Sequence, residues 1–229
     1  MLDKLKLNKF EWTLIIGIIL INIIVFIVTK DINAIGIISS ITGVICVVMT
    51  ARGSITCYYW GIINIATYVI IAWQTSFYGE VMLNGLYYLP MQFVGILLWR
   101  KNLNKDTNIV KTKKMSINYM ICISVISIVA ILGYGIVLRL LNGNQPLIDS
   151  TTNVLSIVAM FLSVKRYKEQ WIMWILVDIV TIYMWTNAFI GGEANSLVMV
   201  FMWGAYLINA VYGYINWTKL EGNKEVCTN

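Results

Sequence analysis

The sequence predicts an all-α membrane protein, a bundle of eight transmembrane helices with no separate soluble domain. Its 229 residues are 59% hydrophobic and 12% charged, whereas soluble domains carry about 25% charged residues. Of the 28 charged residues, 27 flank long uncharged runs, and only Asp178 lies well inside one. A water-soluble chain of this size could not hide so much apolar surface.

Eight uncharged runs are the candidate spans. They are Trp12–Thr29, Ile32–Ala51, Gly53–Gly79, Val81–Trp99, Met115–Leu138, Ser150–Val164, Gln170–Gly192 and Ala194–Thr218. A helix needs about 20 residues, range ~17–25, to cross the hydrocarbon core of a bilayer. Seven runs meet this length. The sixth has 15 residues, and we expect Asp149 or Lys165 to extend it as a snorkelling end.

An internal repeat organises these spans. Trp60-Gly-Ile-Ile-Asn64 recurs 114 positions later as Trp174-Ile-Leu-Val-Asp178, and Phe77-Tyr-Gly-Glu80 matches Ile190-Gly-Gly-Glu193. We therefore divide the single membrane domain (1–229) into an extra N-terminal helix (12–29), a three-helix repeat (34–99), a linker helix (115–139) and a second three-helix repeat (148–218). One intervening helix gives both repeats the same orientation, which is typical of transporters that bind substrate near the membrane midplane.

The basic residues predict the orientation of the bundle. With eight spans, 15 of the 17 Lys and Arg residues fall on one side, and Lys30 and Arg139 fall on the other. The positive-inside rule then puts both termini in the cytoplasm. The net charge of +6 is thus a topology signal, with attraction to anionic membrane lipid, and does not indicate a nucleic-acid partner.

Several classes of chemistry are excluded. The chain has no histidine, its four cysteines lack metal-ligand spacing, and it has no P-loop, so we expect no metal, no cofactor and no ATPase activity. An intramembrane enzyme is a less favoured alternative. It would need a second acid or base beside Asp178, or a metal, and no span supplies one.

Polar and aromatic residues form stripes on four predicted helices, since steps of three and four place residues on one helical face. The candidate substrate-binding residues on these stripes are Trp60 and Asn64; Asn84, Tyr88 and Gln92; Trp171, Trp174, Asp178, Thr181 and Trp185; and Tyr206 and Asn209, with Asn195 on the same helix as the last two. Two other interpretations stay open. The amides could join helices to one another, and Trp12, Trp99, Trp217 and Trp171 fit an interfacial aromatic belt.

Asp178 carries the strongest functional signal, because a carboxylate in mid-span is costly and by default marks a functional site. Trp174 and Trp185 flank it on the same face, and a carboxylate between indoles suits a flat cation. The amide side chains of the stripes could form hydrogen bonds with a sugar, so the stripes predict a nucleoside-like or vitamin-like substrate. Pro90 should kink the fourth span, either as a hinge for alternating access or as a static bend.

Several stretches resemble the PnuC family of bacterial inner-membrane nicotinamide riboside transporters over roughly residues 34–218. They are Trp60-x-x-x-Asn64, Tyr87-Tyr-Leu-Pro-Met-Gln92, Val154-Leu-Ser-Ile-Val-Ala-Met160, Tyr167, and Trp171–Trp174 with the region of the seventh and eighth spans. The resemblance implies a 3+1+3 fold distantly similar to the SWEET sugar transporters, a homotrimer, and facilitated diffusion of nicotinamide riboside that a cytosolic kinase traps by phosphorylation.

The same resemblance implies roles for individual residues. Trp174 would stack on the nicotinamide ring, and Asn64, Gln92 and Asn209 would be polar contacts. Family members typically have Asn at the position of Asp178, so thiamine or another vitamin or nucleoside stays an alternative cargo. Proton coupling through Asp178 and the role of the Lys-rich segment 100–114 stay open.

Overall fold

The computed structural model describes residues 7–29, 34–74, 78–104, 107–142, 145–192 and 196–222. These residues form eight helices joined by short turns, without a named strand, which confirms the all-α prediction. The helices are α1 (Lys9–Thr29), α2 (Ala34–Arg52), α3 (Thr56–Gln74), α4 (Tyr78–Arg100), α5 (Ile117–Leu140), α6 (Pro146–Val164), α7 (Gln170–Ile190) and α8 (Ser196–Gly222). Outside the described residues lie Phe77, Glu193 and Asn195 and five basic residues of the charge pattern, Lys4, Lys6, Lys30, Lys105 and Lys224.

Six described helices, α2 to α7, are long and apolar enough to cross a membrane. Together with the many large apolar side chains on the outside of the bundle, they make the chain a multi-pass membrane protein. The short sixth run gains its length at the Asp149 end. α6 begins at Pro146 and contains 19 residues, because proline is suited to the first turn of a helix.

Helix α4 is irregular before Pro90 and not at it. A π-helical segment, Leu83–Tyr88, separates an α-helical turn from the α-helical Leu89–Arg100, and Pro90 lies in the first turn of that last part. In a first turn the missing N–H of proline costs little. The backbone irregularity therefore lies before Pro90, and a hinge at Pro90 stays a prediction.

The helices pack around a common interior. α2 packs on α3, α7 packs on α6 and α8, and the bundle closes where α2 meets α8 and α4 meets α6. α1 lies against α2 and α8. α5 contacts α6 and is otherwise exposed, with Ser127 its one buried residue in the described structure. Such an exposed apolar face matches a lipid environment.

Three tryptophans are buried where the sequence suggested an aromatic belt. Trp99 and Trp217 are 0% exposed and Trp171 is 3% exposed, so that interpretation is wrong for them, whereas Trp12 is 52% exposed. The indole N–H of Trp99 donates to the Ser163 carbonyl, and that of Trp217 donates to the Thr50 carbonyl, both at 3.0 Å. A buried indole needs such a partner, and these carbonyls belong to sequence-distant helices.

The segment between α4 and α5 forms backbone hydrogen bonds with the turn after α2 and with the turn after α6. Val110 N–H donates to the Gly53 carbonyl at 2.9 Å, and Lys113 N–H donates to the Arg166 carbonyl at 2.8 Å. Gly53 and Arg166 follow the ends of α2 and α6 and have positive φ, +77° and +68°. Burial lowers the pKa of the Arg166 guanidinium below its ordinary value. The segment therefore covers one end of the bundle as a packed structure.

Candidate substrate-binding cavity

A cavity of about 330 Å³ lies in the interior, enclosed by α2, α3, α4, α6, α7 and α8. This volume falls within the ~300–1,000 Å³ of small-molecule sites. Nine of the twelve candidate residues line it: Asn64, Asn84, Tyr88, Gln92, Trp171, Trp174, Asp178, Tyr206 and Asn209. The stripes of four helices thus converge on one cavity, and the role of these residues in binding stays a prediction.

The other three candidates do not line the cavity. Trp60 is 36% exposed on the outer face of α3, next to Gly61, which does line it. One residue turns a helix by about 100°, so an error of one position moves a side chain from interior to exterior. Thr181 is buried, and its hydroxyl donates to the Val177 carbonyl at 2.8 Å. Trp185 is half-buried elsewhere on α7.

The stripes missed several lining residues. Tyr58 and Trp203 lie three positions before Gly61 and Tyr206, so helical spacing could have found them. Cys46, Thr50 and Ser163 come from α2 and α6, whose sequences carry no stripe of large polar residues. The same two helices also contribute Val47 and Met160 to the lining.

Two glycines set the positions of lining side chains. A Cβ at position 61 would lie 2.6 Å from Gln92 Oε1, and a Cβ at position 213 would lie 2.5 Å from Cε2 of the Trp171 indole. Real Cβ atoms do not approach other atoms so closely, so only glycine lets these side chains lie directly on the neighbouring helix. Gln92 and Trp171 are thereby held 6% and 3% exposed at the cavity wall.

Asp178 is the carboxylate of the cavity wall in the described part of the chain, and it is 4% exposed. Among the described residues that line the cavity none is Lys or Arg, and neither salt bridge found in the described structure involves Asp178. The described residues also contain no group of three potential metal ligands. The Asp178 carboxyl group therefore has no counter-charge among the described residues and is available to a cationic ligand.

Three cavity asparagines use their amide nitrogens to bond the protein. The contacts are Asn64 Nδ2 to the Ser39 carbonyl (2.7 Å), Asn84 Nδ2 to the Glu80 carbonyl (2.9 Å) and to Glu80 Oε2 (3.1 Å), and Asn209 Nδ2 to the Val47 carbonyl (3.3 Å). Asn209 Oδ1 is buried with no hydrogen-bond partner among the described residues.

Aromatic faces complete the wall. Trp174 is half-buried on the same helical face as Asp178, one turn away. Trp203 packs edge-on against Tyr206 with ring centroids 5.6 Å apart. In the described structure the indole N–H groups of Trp171 and Trp203 have no protein partner. Flat apolar surfaces beside a carboxylate favour an aromatic cation.

Comparisons with known proteins agree on one family. The family described as "Nicotinamide mononucleotide transporter" matches residues 33–219. The chain is 37% identical to the nicotinamide riboside transporter PnuC of Neisseria mucosa, over 93% of this chain and 82% of that protein. It is 33% identical to the nicotinamide riboside transporter PnuC of Haemophilus influenzae, over 93% and 91%.

A solved structure matches as well. A crystal structure of the vitamin B3 transporter PnuC superposes with a TM-score of 0.76 at 36% identity, over 95% of this chain and 94% of that one. The similarity therefore covers the whole helical bundle and includes every helix that lines the cavity.

Proposed function

The chain belongs to the PnuC family of transporters, not to an enzyme family, and we propose that it carries nicotinamide riboside across the bacterial inner membrane by facilitated diffusion. A cytosolic kinase that phosphorylates the riboside would keep it in the cell. The relatives from Neisseria mucosa and Haemophilus influenzae are named as nicotinamide riboside transporters, which supports the choice of cargo.

One observation carries the proposal at the level of this chain. Asp178 and the face of Trp174 line the same cavity, and no basic side chain is among its described lining residues. The riboside has a flat pyridinium ring, which suits an indole face and a nearby carboxylate. Its ribose hydroxyls suit the amide groups of Asn64, Gln92 and Asn209 on the same wall.

The architecture we propose is eight spans in a 3+1+3 arrangement. Its parts are an N-terminal helix (12–29), repeats at 34–99 and 148–218, and a linker helix (115–139). Equivalent contacts at sequence spacings of 113 and 118 support the repeat: the Trp99–Ser163 and Trp217–Thr50 hydrogen bonds, and the edge-on Tyr58–Trp99 and Trp171–Trp217 pairs, at 4.9 and 6.0 Å between centroids.

Orientation and assembly are further parts of the proposal. The distribution of Lys and Arg supports cytoplasmic termini, which fusion of a cytoplasm-active reporter to either end would test. The exposed apolar face of α5 supports contact with lipid or with other copies in a homotrimer. Mass measurement of the protein in detergent would distinguish a trimer from a monomer.

Thiamine is the second candidate, because the carboxylate and the indole faces would also suit its cationic thiazolium ring. Isothermal calorimetry with nicotinamide riboside, thiamine and uridine, titrated separately into the purified protein, distinguishes the two. Binding of the riboside alone is expected. Binding of thiamine alone would show that thiamine is the cargo and would leave the proposed binding site unchanged. Binding of none of the three would contradict the proposed function.

A further inference from the structure

The three cavity asparagines share one amide orientation. Each donates from Nδ2 to a carbonyl or carboxylate of the protein. No described residue donates a hydrogen bond to Oδ1 of Asn64, Asn84 or Asn209. Nδ2 of Asn64 and Nδ2 of Asn84 each have two acceptors, and Nδ2 of Asn209 has one. The carbonyl oxygen is therefore the end of each amide that is left for a ligand. The shared orientation therefore makes this part of the wall a set of hydrogen-bond acceptors.

Asn84 differs from the other two because one of its acceptors is a carboxylate. Nδ2 of Asn64 also donates to two oxygens of one residue, the carbonyl and the hydroxyl of Ser39, but neither is charged. The Glu80 carbonyl accepts at 2.9 Å and the Glu80 carboxylate at 3.1 Å. Glu80 lies one turn before Asn84, and the π-helical segment begins between them. π-Helical turns interrupt the regular backbone pattern and occur often at functional sites. A side-chain amide bonded to the carbonyl four residues earlier is a local substitute for that pattern.

Glu80 itself does not line the cavity, so its carboxylate acts on the cavity through Asn84. A carboxylate accepts hydrogen bonds and does not donate them. It can therefore pair only with Nδ2 of Asn84, the same atom that donates to the Glu80 backbone carbonyl, and it strengthens that orientation. The hydrogen bond from Asn84 to this carboxylate is charge-assisted. It therefore stabilises the observed amide orientation more than a hydrogen bond to a neutral acceptor would.

We propose that Glu80 is a positioning residue that holds Asn84 as an acceptor, and that the cavity selects polyhydroxylated cations through an acceptor-lined wall. The inference rests on the proposed function for its ligand class and adds the recognition rule. Hydroxyl and amide N–H groups of the ligand donate to Asn64, Asn84 and Asn209, and Asp178 meets the positive ring. An anionic ligand would place its own acceptor atoms against the amide oxygens of the wall, which have no hydrogen to donate.

The amide orientation can be tested without a ligand. In the Asn84→Asp variant a carboxylate would face the Glu80 carboxylate, and we expect the melting temperature at pH 8 to fall by about 5 °C. Adding Glu80→Gln should restore at least half of the loss, because the new amide can donate to Asp. No fall in the single variant, or no recovery in the double variant, would overturn the orientation.

The positioning role is tested by riboside binding. We expect Glu80→Met, which lacks an acceptor, to weaken nicotinamide riboside binding about fivefold. Glu80→Gln keeps an acceptor oxygen and should stay within twofold of wild type. The Asp149→Asn variant, which removes a carboxylate of α6 that does not line the cavity, should bind as wild type does.

A double-mutant cycle separates positioning from a general charge effect. In an Asn84→Leu background, Glu80→Met should have no further effect on binding. An equal loss in Glu80→Met and Glu80→Gln, or a loss that persists without Asn84, would refute the positioning role. If the wild-type protein does not bind the riboside, the proposed function fails, and the melting temperatures still decide the orientation of Asn84.

Discussion

Asp178→Asn tests whether the cavity selects its ligand by charge. The substitution removes the negative charge and keeps the size of a side chain that is 4% exposed on the cavity wall. No described basic residue neutralises Asp178, so the variant should lose the attraction to a cation without freeing a buried partner charge. We therefore expect the fold to tolerate the change.

The size of the effect follows from Coulomb's law. Opposite unit charges 4 Å apart attract by about 4 kcal/mol at an effective dielectric constant of 20. Burying the carboxylate and the cation offsets part of this attraction, and about 2 kcal/mol remains. That corresponds to about 30-fold weaker binding of the oxidised, cationic riboside.

The neutral dihydro form of nicotinamide riboside is the matched ligand, because it has nearly the same shape without the positive charge. Calorimetry should show that Asp178→Asn changes its dissociation constant less than threefold. A melting curve close to that of wild type would establish that the variant is folded. Equal weakening of both ligands would show that Asp178 acts through structure, and unchanged binding of the cation would refute charge selection altogether.

Three further predictions concern stacking, packing and energetics of transport. Trp174→Ala should abolish riboside binding in calorimetry, whereas Trp185→Ala, outside the cavity, should bind normally; retained binding in the first variant would remove the stacking role. Gly213→Ala should lower the melting temperature by about 3–8 °C, as overpacking against Trp171 does. Gly204→Ala in the same helix has open space and should have no such effect. In proteoliposomes, unlabelled riboside inside should drive uptake of labelled riboside, and acceleration by a pH or sodium gradient would contradict uniport.

Sequence reasoning predicted the helices because each coincides with most of one long run that is nearly free of charge. The ends are less well predicted, since α3 ends at Gln74 and α8 continues past Lys219 to Gly222. α1 to α8 follow the eight runs closely. The exceptions are local. α6 begins four residues early at Pro146, and the π-helical segment before Pro90 was not foreseen, because a single sequence does not reveal where a helix widens.

Nine of the twelve candidate residues line one cavity, and Trp60 misses it by one helical step; their role in binding stays a prediction. The spacing of 114 that aligns Trp60 with Trp174 conflicts with the spacing of 113 between Tyr58 and Trp171, which make equivalent contacts in the structure. At a spacing of 113, the counterpart of Trp174 is Gly61, which lines the cavity. If the proposed repeat has the spacing of 113, this explains why Trp60 lies outside the cavity, because the sequence shows residue types and the structure shows which face they occupy.

The burial of Trp99 and Trp217 was missed for a different reason. A tryptophan at the end of a predicted span is compatible with both a lipid interface and a buried position. The choice depends on the Ser163 and Thr50 carbonyls, which lie far away in the sequence. Amide orientation at Asn64, Asn84 and Asn209 has the same origin, since it depends on partners that only the packed helices bring near.

A wall with one carboxylate and several amide oxygens is also physically suited to facilitated diffusion. Each additional buried carboxylate would carry a large desolvation penalty and would bind a cation too tightly for release. Carbonyl dipoles attract donors and cations more weakly and need no counter-charge. The proposed uniporter would have to bind its cargo well enough to select it and loosely enough to release it on either side. The combination of Asp178 with oriented asparagines meets both requirements, and this is why the orientation set by Glu80 bears on transport as well as on binding.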